Sequence, residues 1–234
     1  MMMSVSGNQV SPMIAHSQID PSIMQDAKSF CAWLVTGRDT LRKGDRTRID
    51  LMIAGSRFLG EHPLDRLTVS VICKSAGVAH GTFYLYFKDR NDLAGAVLGA
   101  FVDYVQLQMR AAARCEGDAT RNTTLAYMRV FEANPVLMKS LVAGGDTFPE
   151  ARAAFQRLNH DWIEAVVRHA MRSDAGDMRS KSDLMRRAYA LGGMVDQYLT
   201  ALFVTEDPWV RELSKDRTEV LDMLTDLWKR GMAP

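Results

Sequence analysis

The stretch TVSVICKSAGVAHGTFYLYFKDRNDL, residues 68–93, decides how this chain folds. Thr68 is a good N-cap, and the apolar spacing behind it predicts two short helices, at 69–75 and 79–87. Gly77 lies between them and supplies the left-handed backbone conformation that a tight inter-helix turn needs. Two short helices joined by a three-residue turn with a glycine form a helix-turn-helix unit.

The two predicted helices divide their side chains between a buried and an exposed face. The residues expected to face inward are Val71, Ile72, Val78, Phe83 and Phe87. Because Phe83 and Phe87 are four residues apart, they lie on one side of the second helix. His80 and Tyr84 have the same spacing and share another side, which is then free to contact a partner.

Helical patterns continue on both sides of this unit. Residues 46–62 carry an apolar stripe that ends before Pro63, and a long helix with a broad apolar face is predicted from Lys88 to about Ala113. Further helices are predicted at 120–133, after Pro135, and at 149–173, 181–204 and 208–231. No alternating run is long enough for a strand, so we expect an all-α fold.

The length of 234 residues suits a small domain joined to a larger one. We expect an N-terminal extension at 1–44, the helix-turn-helix domain at 45–105 and a larger helical domain at 106–234. The hydrophobic share of 47% and the charged share of 24% are typical of a globular protein.

The N-terminal extension combines one predicted helix with a basic segment. Asp20-Pro21 is a cap and first helical position, and Thr36-Gly37 is a stop. The following residues, 37–48, have more cations than anions; the cations are Arg38, Arg42, Lys43, Arg46 and Arg48. We interpret this segment as a basic arm with two open interpretations, a solvated linker or an arm that contacts phosphate.

Composition excludes several classes of function. No apolar run approaches the roughly 18 residues of a membrane span, and the first twenty residues lack the pattern of a secretory signal, so we expect a cytoplasmic protein without a membrane partner. The net charge is +1, and between residues 45 and 105 there are seven cations and seven anions, so their charges cancel. Any binding to a polyanion must therefore depend on where particular charges lie.

Neither a metal site nor a catalytic site is expected. Cys31, Cys73 and Cys115 are too far apart for a zinc site or a disulfide framework, so reduced thiols are expected. His160 shares a helix face with a nearby glutamate, but His169 is nine residues further on and points to the opposite face. There is also no glycine-rich phosphate loop and no nucleophile elbow, so we expect no catalytic residues, no cofactor and no enzyme activity.

Residues 68–93 closely resemble the signature of the TetR family of helix-turn-helix transcriptional regulators. The residues that carry the resemblance are Ile72, Ala76-Gly77-Val78, Gly81-Thr82-Phe83-Tyr84, Tyr86-Phe87, Arg90 and Leu93. The resemblance is specific over about 46–105 and becomes only architectural afterwards. Gly55 and Cys73 replace the usual small alanines, which changes packing only, and Pro63 replaces a helix-ending glycine but still ends a helix.

The resemblance implies a DNA-binding regulator, expected to be a ligand-responsive repressor that binds a palindromic operator as a dimer. The alternatives are a helical dimeric interaction protein or an enzyme, both without DNA binding. By resemblance, the residues near base edges are Ser70, His80, Gly81, Tyr84 and Leu85, and those near phosphates are Thr68, Val69, Thr82, Tyr86, Lys88 and Arg90. The chemistry agrees, because Arg90 adds a cation to the N–H groups that begin the long helix.

By resemblance, the C-terminal part should hold a pocket for a small apolar or amphipathic effector. The candidate lining residues are Tyr127, Met128, Phe131, Met138, Phe155 and Trp162. These large or adaptable side chains lie on the middle helices, and the alternative is that they only fill the core.

Apolar residues at seven-residue spacing in the last two helices predict a homodimer surface. In the first of these helices they are Leu184, Leu191 and Tyr198, beside Ala188, Val195 and Leu202; in the second they are Leu213, Val220 and Leu227, beside Leu221, Leu224 and Trp228. Two such helices from each subunit would build a four-helix interface. The alternative is that the same residues are buried within one subunit.

Overall fold

A computed structural model describes residues 30–38, 41–143, 148–172 and 179–233. Within these residues all regular elements are helical, which confirms the predicted all-α fold. The α-helices are α1 (Phe30–Arg38), α2 (Lys43–Glu61), α3 (Val69–Ala76), α4 (His80–Phe83), α5 (Arg90–Ala112), α6 (Ala119–Ala133), α7 (Pro135–Ala143), α8 (Pro149–Ala170), α9 (Lys181–Leu199), α10 (Pro208–Leu213) and α11 (Arg217–Met232). A 3-10 turn at Leu64–Arg66 precedes α3, and a π-helical turn at Thr200–Val204 continues α9. In the part of the chain described, no helix is both long and apolar enough to cross a bilayer.

Short polar side chains define where most of the helices begin. The N-cap residues whose side chains accept backbone N–H groups are Thr68, Asp89, Asp118, Ser180, Asp207 and Asp216. Such caps satisfy donors that have no partner inside the helix, which stabilises each start by about 1 kcal/mol. The helix boundaries are therefore largely local properties of the sequence.

The predicted single helix over 208–231 is wrong. The chain leaves helical geometry after Leu213, and Asp216 starts a new helix by accepting the N–H of Thr218 at 2.7 Å. The turn is held from outside, because the hydroxyl groups of Tyr198 and Ser214 lie 2.7 Å apart. The turn is thus determined by a strong cap and a tertiary hydrogen bond, neither of which alters apolar periodicity.

Helix α5 forms the centre of the molecule. Its predicted apolar face is confirmed, since Leu93, Val97, Phe101, Tyr104 and Val105 are all buried. The helix packs on α2 near the helix-turn-helix unit and on α6 and α8 in the C-terminal part. One continuous helix therefore joins the two halves of the fold.

Helix α1 packs on this central helix. The ring centroid of Phe30 lies 5.2 Å from that of Phe101 and 5.8 Å from that of Tyr104. The helix ends at Arg38, one residue beyond the predicted stop at Thr36-Gly37, and the Arg38 guanidinium pairs with Asp50 of α2. The first part of the predicted helix lies outside the described residues.

The predicted basic arm belongs largely to helical structure, so its interpretation as a solvated linker is wrong over α2. Arg46 donates from Nε to the carbonyl oxygen of Leu41 at 2.8 Å. The guanidinium of Arg48 lies over the ring of Phe87, 4.9 Å from its centroid. Arg48 therefore links α2 to the helix-turn-helix unit, whereas Arg46 is bonded to the segment directly before α2.

Candidate functional site

The helix-turn-helix unit has the predicted cap and the predicted turn. Thr68 Oγ1 accepts the N–H of Val71 at 3.3 Å, and Gly77 adopts a φ of 67° after α3. The N–H of Val78 then donates to the carbonyl oxygen of Cys73 at 3.0 Å. This hydrogen-bonded turn fixes α3 relative to α4, because the backbone on both sides of the glycine is held.

The inner face of the unit is a small aromatic and aliphatic core. Ile72, Phe83 and Phe87 are buried, and the two phenylalanine rings lie 5.8 Å apart. Val71 is 42% exposed, so the prediction that it faces inward is wrong. Consecutive residues point about 100° apart on a helix, and Ile72 already occupies the buried side.

The outer face of the unit is exposed. All the side chains assigned to base edges lie on it: Ser70, His80, Tyr84 and Leu85, together with the backbone of Gly81. Tyr84 is 58% exposed and Leu85 is 78% exposed, although both are large and partly apolar. Helix α4 ends at Phe83, earlier than predicted, so Tyr84 and Leu85 lie in the turn that follows it. Exposed apolar side chains beside polar groups are typical of a surface that contacts a partner.

The residues assigned to phosphate contacts differ in how far they are exposed. Thr68 and Lys88 are exposed, Thr82 is half-buried, and Val69 and Tyr86 are partly buried against the core. A half-buried side chain can reach a partner only with its outer edge or through its backbone.

Arg90 is held within the chain. Its Nη1 donates to the carbonyl oxygens of Asp65 at 3.2 Å and Leu67 at 3.0 Å. These carbonyls belong to the turn that leads into α3, so Arg90 ties the start of α5 to the start of the helix-turn-helix unit. This contact could not be predicted from local sequence patterns, because Arg90 lies more than twenty residues after Asp65 and Leu67.

The predicted anion site at the start of α5 is already occupied by side chains. Asp89 Oδ1 accepts the N–H groups of Asn91 at 2.8 Å and Asp92 at 2.9 Å. Asp92 in turn accepts the N–H of Lys88 at 2.9 Å. An aspartate directly before a helix is a strong capping signal, which could have revealed that these donors are used.

A cavity of about 380 Å³ lies between α5, α6, α8, α9 and α11. Its wall is largely apolar, with Met109, Leu158, Trp162, Ile163 and Trp228 among the lining residues. Exposed basic side chains, Arg110, Arg114 and His169, also line it. A second cavity of about 260 Å³ adjoins the first, because both are lined by Asn159, Ile163, Gly192 and Asp196.

The predicted pocket residues divide between these cavities and the core. Tyr127 and Trp162 line the larger cavity, and Phe155 lines the smaller one. Met128, Phe131 and Met138 line neither cavity and are buried in the main hydrophobic core. For these last three, the structure follows the alternative of plain core packing.

The cavities meet at a buried carboxyl group that the sequence analysis missed. Asp196 Oδ1 accepts a hydrogen bond from the Tyr127 hydroxyl at 2.8 Å, and the Asn159 side chain also bonds to this carboxyl group. Burial raises the pKa of Asp196 to about 6, although both hydrogen bonds act to lower it. Burial and the nearby carboxylate raise the pKa of Tyr127, so its hydroxyl stays a donor. A lone aspartate within the apolar side of α9 was the available signal.

Most heptad residues of the last two predicted helices are buried within the chain, so the predicted dimer surface is wrong for them, whereas Leu213 and Leu227 are exposed. Leu184, Ala188, Val195, Leu202, Val220, Leu221 and Leu224 are all buried within the chain. The large exposed apolar side chains of α9 and α11 are Tyr189, Met223 and Leu227. Spacing alone cannot separate burial within a subunit from burial between subunits.

Cys73 is the cysteine of the helix-turn-helix unit. Cys73 is buried, and burial raises the pKa of its thiol, which disfavours the reactive thiolate. Among the described residues, no group of three or more histidine, cysteine, aspartate or glutamate side chains is placed to hold a metal ion.

Comparison with known proteins bears on the helix-turn-helix unit and on the whole chain. Residues 51–97 match the family described as bacterial regulatory proteins, tetR family. The HTH-type transcriptional regulator EthR of Mycobacterium tuberculosis is 26% identical over 205 residues, which cover 84% of this chain and 92% of EthR. The HTH-type transcriptional regulator AcrR of Shigella flexneri is 20% identical over 207 residues, or 82% of this chain and 93% of AcrR. The solved fatty acid degradation regulator FadR from Bacillus halodurans has the same fold, with a TM-score of 0.59 and 19% identity over 78% of this chain and 94% of FadR.

Proposed function

Since this chain belongs to the TetR family of helix-turn-helix regulators, we propose that it represses transcription by binding a palindromic operator as a homodimer and releasing it when a small effector binds. The observation that carries this proposal is the exposed face of the helix-turn-helix unit, where Tyr84 and Leu85 lie uncovered beside His80. The relatives reported above are named as transcriptional regulators, which supports the same function.

The exposed face has the chemistry for reading a major groove. Ser70 and His80 can exchange hydrogen bonds with base edges, and Leu85 can pack on a thymine methyl group. Gly81 has no side chain, which lets the backbone of α4 approach the DNA closely. We assign these residues and Tyr84 to base contacts.

Phosphate contacts follow from the charges and hydroxyl groups at the edge of the same face. We assign them to Thr68, Val69, Thr82, Tyr86 and Lys88, with Lys88 as the cation. We assign Arg90 mainly to positioning, because its guanidinium is bonded to the turn before α3. Contacts of this kind fix the register of a protein on DNA, whereas base contacts select the sequence.

The homodimer is proposed to form through the last two helices, by way of their exposed residues. Tyr189 and Gly193 lie four residues apart on α9, as do Met223 and Leu227 on α11. Two copies of each helix related by a two-fold axis would bury Tyr189, Met223 and Leu227 in a four-helix contact, with Gly193 allowing close approach of the helices. A two-fold symmetric dimer presents two identical helix-turn-helix units to the DNA, so the matching operator is a palindrome.

The effector is proposed to act through α5. The C-terminal part of this helix lines the larger cavity through Met109 and Arg110, and its first residue contacts the turn before α3. An effector that prefers one position of α5 shifts the population between two spacings of the reading units.

In vitro selection of DNA from a random pool, followed by fluorescence anisotropy on the enriched site, tests this function. We expect a palindromic site that the parent protein binds and that a Tyr84→Ala, Lys88→Ala double variant does not bind. Lys139→Ala is the matched control, because Lys139 is an exposed cation on α7 and lies outside the proposed face. If a folded dimer enriches no site at moderate salt, the proposed function is wrong.

A further inference from the structure

The carboxylate of Asp196 is buried without a cation. Its hydrogen-bond partners, Tyr127 and Asn159, are neutral donors. None of the ion pairs between described residues includes Asp196, and no cation contributes to its pKa. A buried charge normally has a counter-charge, because removing it from water is costly.

This carboxylate has acceptor capacity left over. Its two oxygens offer about four acceptor positions, and the two neutral donors fill only part of that number. Asp196 lines both cavities, so the remaining positions are accessible to a molecule inside them. Even with its pKa raised to about 6, the group is mostly ionised at neutral pH.

A second polar atom nearby has no partner. The Thr200 hydroxyl oxygen is buried and makes no hydrogen bond, and Thr200 lines the smaller cavity. It lies four residues after Asp196 and begins the π-helical turn, so both side chains lie on one side of the helix, about 5–6 Å apart at Cβ. A donor placed between the two could bond to both, which makes them a ready pair of acceptors.

Apolar surface surrounds these acceptors. Trp162, Ile163 and Trp228 line the larger cavity, whose volume lies in the usual range for small-molecule sites, about 300–1,000 Å³. The basic residues Arg110 and Arg114 are exposed, and Arg110 already donates to Gln106 at 2.8 Å. Their charges are screened by solvent, whereas the charge of Asp196 is not.

We propose that the effector is an apolar amine, whose protonated nitrogen binds Asp196 and Thr200 while its hydrocarbon part lies against the tryptophans. A primary ammonium group donates three hydrogen bonds, which matches a carboxylate and a hydroxyl that lack donors. An amphipathic acid would place its charge beside Asp196, or at the solvent-exposed arginines where attraction is weak. The regulatory meaning of this site rests on the proposed function, but binding itself does not.

Isothermal titration of the purified full-length protein with octylamine, octanol and octanoate tests the proposal. These probes share a chain length and differ in the charge of the head group. We expect octylamine to bind at least about tenfold more tightly than octanol, as a charged hydrogen bond in a buried site predicts. Preference for octanoate, or equal affinity for all three probes, would overturn the proposal.

Three variants test which residues bind the ammonium group of octylamine. Asp196→Asn keeps the shape of the side chain and is expected to remove the advantage of octylamine over octanol without reducing octanol binding. Thr200→Val replaces a hydroxyl without a partner by a methyl group, so it should fold normally and weaken octylamine binding about threefold or more. Glu132→Gln is the control, because it removes an exposed negative charge on α6 outside the cavities and should change nothing. If the folded Asp196→Asn variant binds octylamine as tightly as the parent protein does, the proposal is wrong.

The DNA assay separates this proposal from the proposed function. If the protein binds its selected operator but shows no amine preference, the function stands and the amine site is wrong. If it prefers octylamine through Asp196 but selects no DNA, the amine site stands and the function is wrong. If both hold, octylamine should weaken operator binding by the parent protein and not by Asp196→Asn.

Discussion

The carboxyl group of Asp196 lies where α6, α8 and α9 meet, and burial raises its pKa from an ordinary 3.8 to about 6. The folded chain therefore binds a proton more tightly than the unfolded chain does. Stability from this group is complete below about pH 4 and is lost as the pH rises through about 6. At neutral pH the buried charge of Asp196 therefore lowers the stability of the folded chain, and a bound cation would offset this loss.

Asp196→Asn should make stability less dependent on pH. We expect the free energy of unfolding of the parent to fall, relative to that of the variant, by about 2 kcal/mol between about pH 4 and pH 8. Urea unfolding at both pH values measures this difference. Parallel pH dependence in the two proteins would show that the group titrates normally.

The Arg90→Ala variant tests whether Arg90 positions the helix-turn-helix unit or contacts a DNA phosphate. The variant loses the bonds to the carbonyl oxygens of Asp65 and Leu67, so we expect destabilisation by about 1 kcal/mol and weaker DNA binding. Its affinity should keep the parental dependence on salt, whereas Lys88→Ala should reduce the slope by about one per subunit. A salt slope reduced equally by both variants would assign Arg90 to phosphate instead.

At the scale of elements, Gly77 controls the angle between α3 and α4. Its φ of 67° disfavours any residue with a side chain, although nothing lies within 4 Å of an added Cβ. Gly77→Ala should therefore cost about 1–2 kcal/mol through backbone conformation alone and weaken DNA binding. Gly60→Ala is the control, because Gly60 lies in α2 with the same open space and should be neutral or slightly stabilising. Thermal unfolding and anisotropy of both variants check this prediction.

Elements controlled by neighbouring residues could be predicted from the sequence. Thr68 as a cap, Gly77 in the turn and the buried stripe of α5 depend on spacing and local chemistry, and the structure confirms all of them. The break at Ser214 and the contact of Arg90 could not be predicted, because each depends on a partner distant in sequence. The site beside Asp196 was predicted in part, through Tyr127, Phe155 and Trp162, but the partners of Asp196 could not be predicted because Tyr127 and Asn159 are distant in sequence.

At the scale of the whole molecule, the exposed apolar residues of α11 are the candidates for the proposed homodimer interface. Met223→Glu places a charge on the exposed side of α11, so we expect a monomer in size-exclusion chromatography with light scattering and a large loss of operator affinity. Val35→Glu is the control, because Val35 is a comparably exposed apolar residue on α1, which packs on α2 and α5. A Met223→Glu protein that stays dimeric would exclude this part of α11 from the interface.

The 23 residues of α5 form one unbroken helix, about 34 Å long at 1.5 Å per residue. In the proposed mechanism this helix acts as a rigid rod, with the candidate effector cavity near its C-terminal end and the helix-turn-helix unit at its N-terminal end. A tilt of about 5° at the cavity moves the far end by about 3 Å, and two-fold symmetry doubles the change between subunits. Successive major grooves on one side of DNA are about 34 Å apart, so we expect a change of this size to move the second helix-turn-helix unit out of its groove.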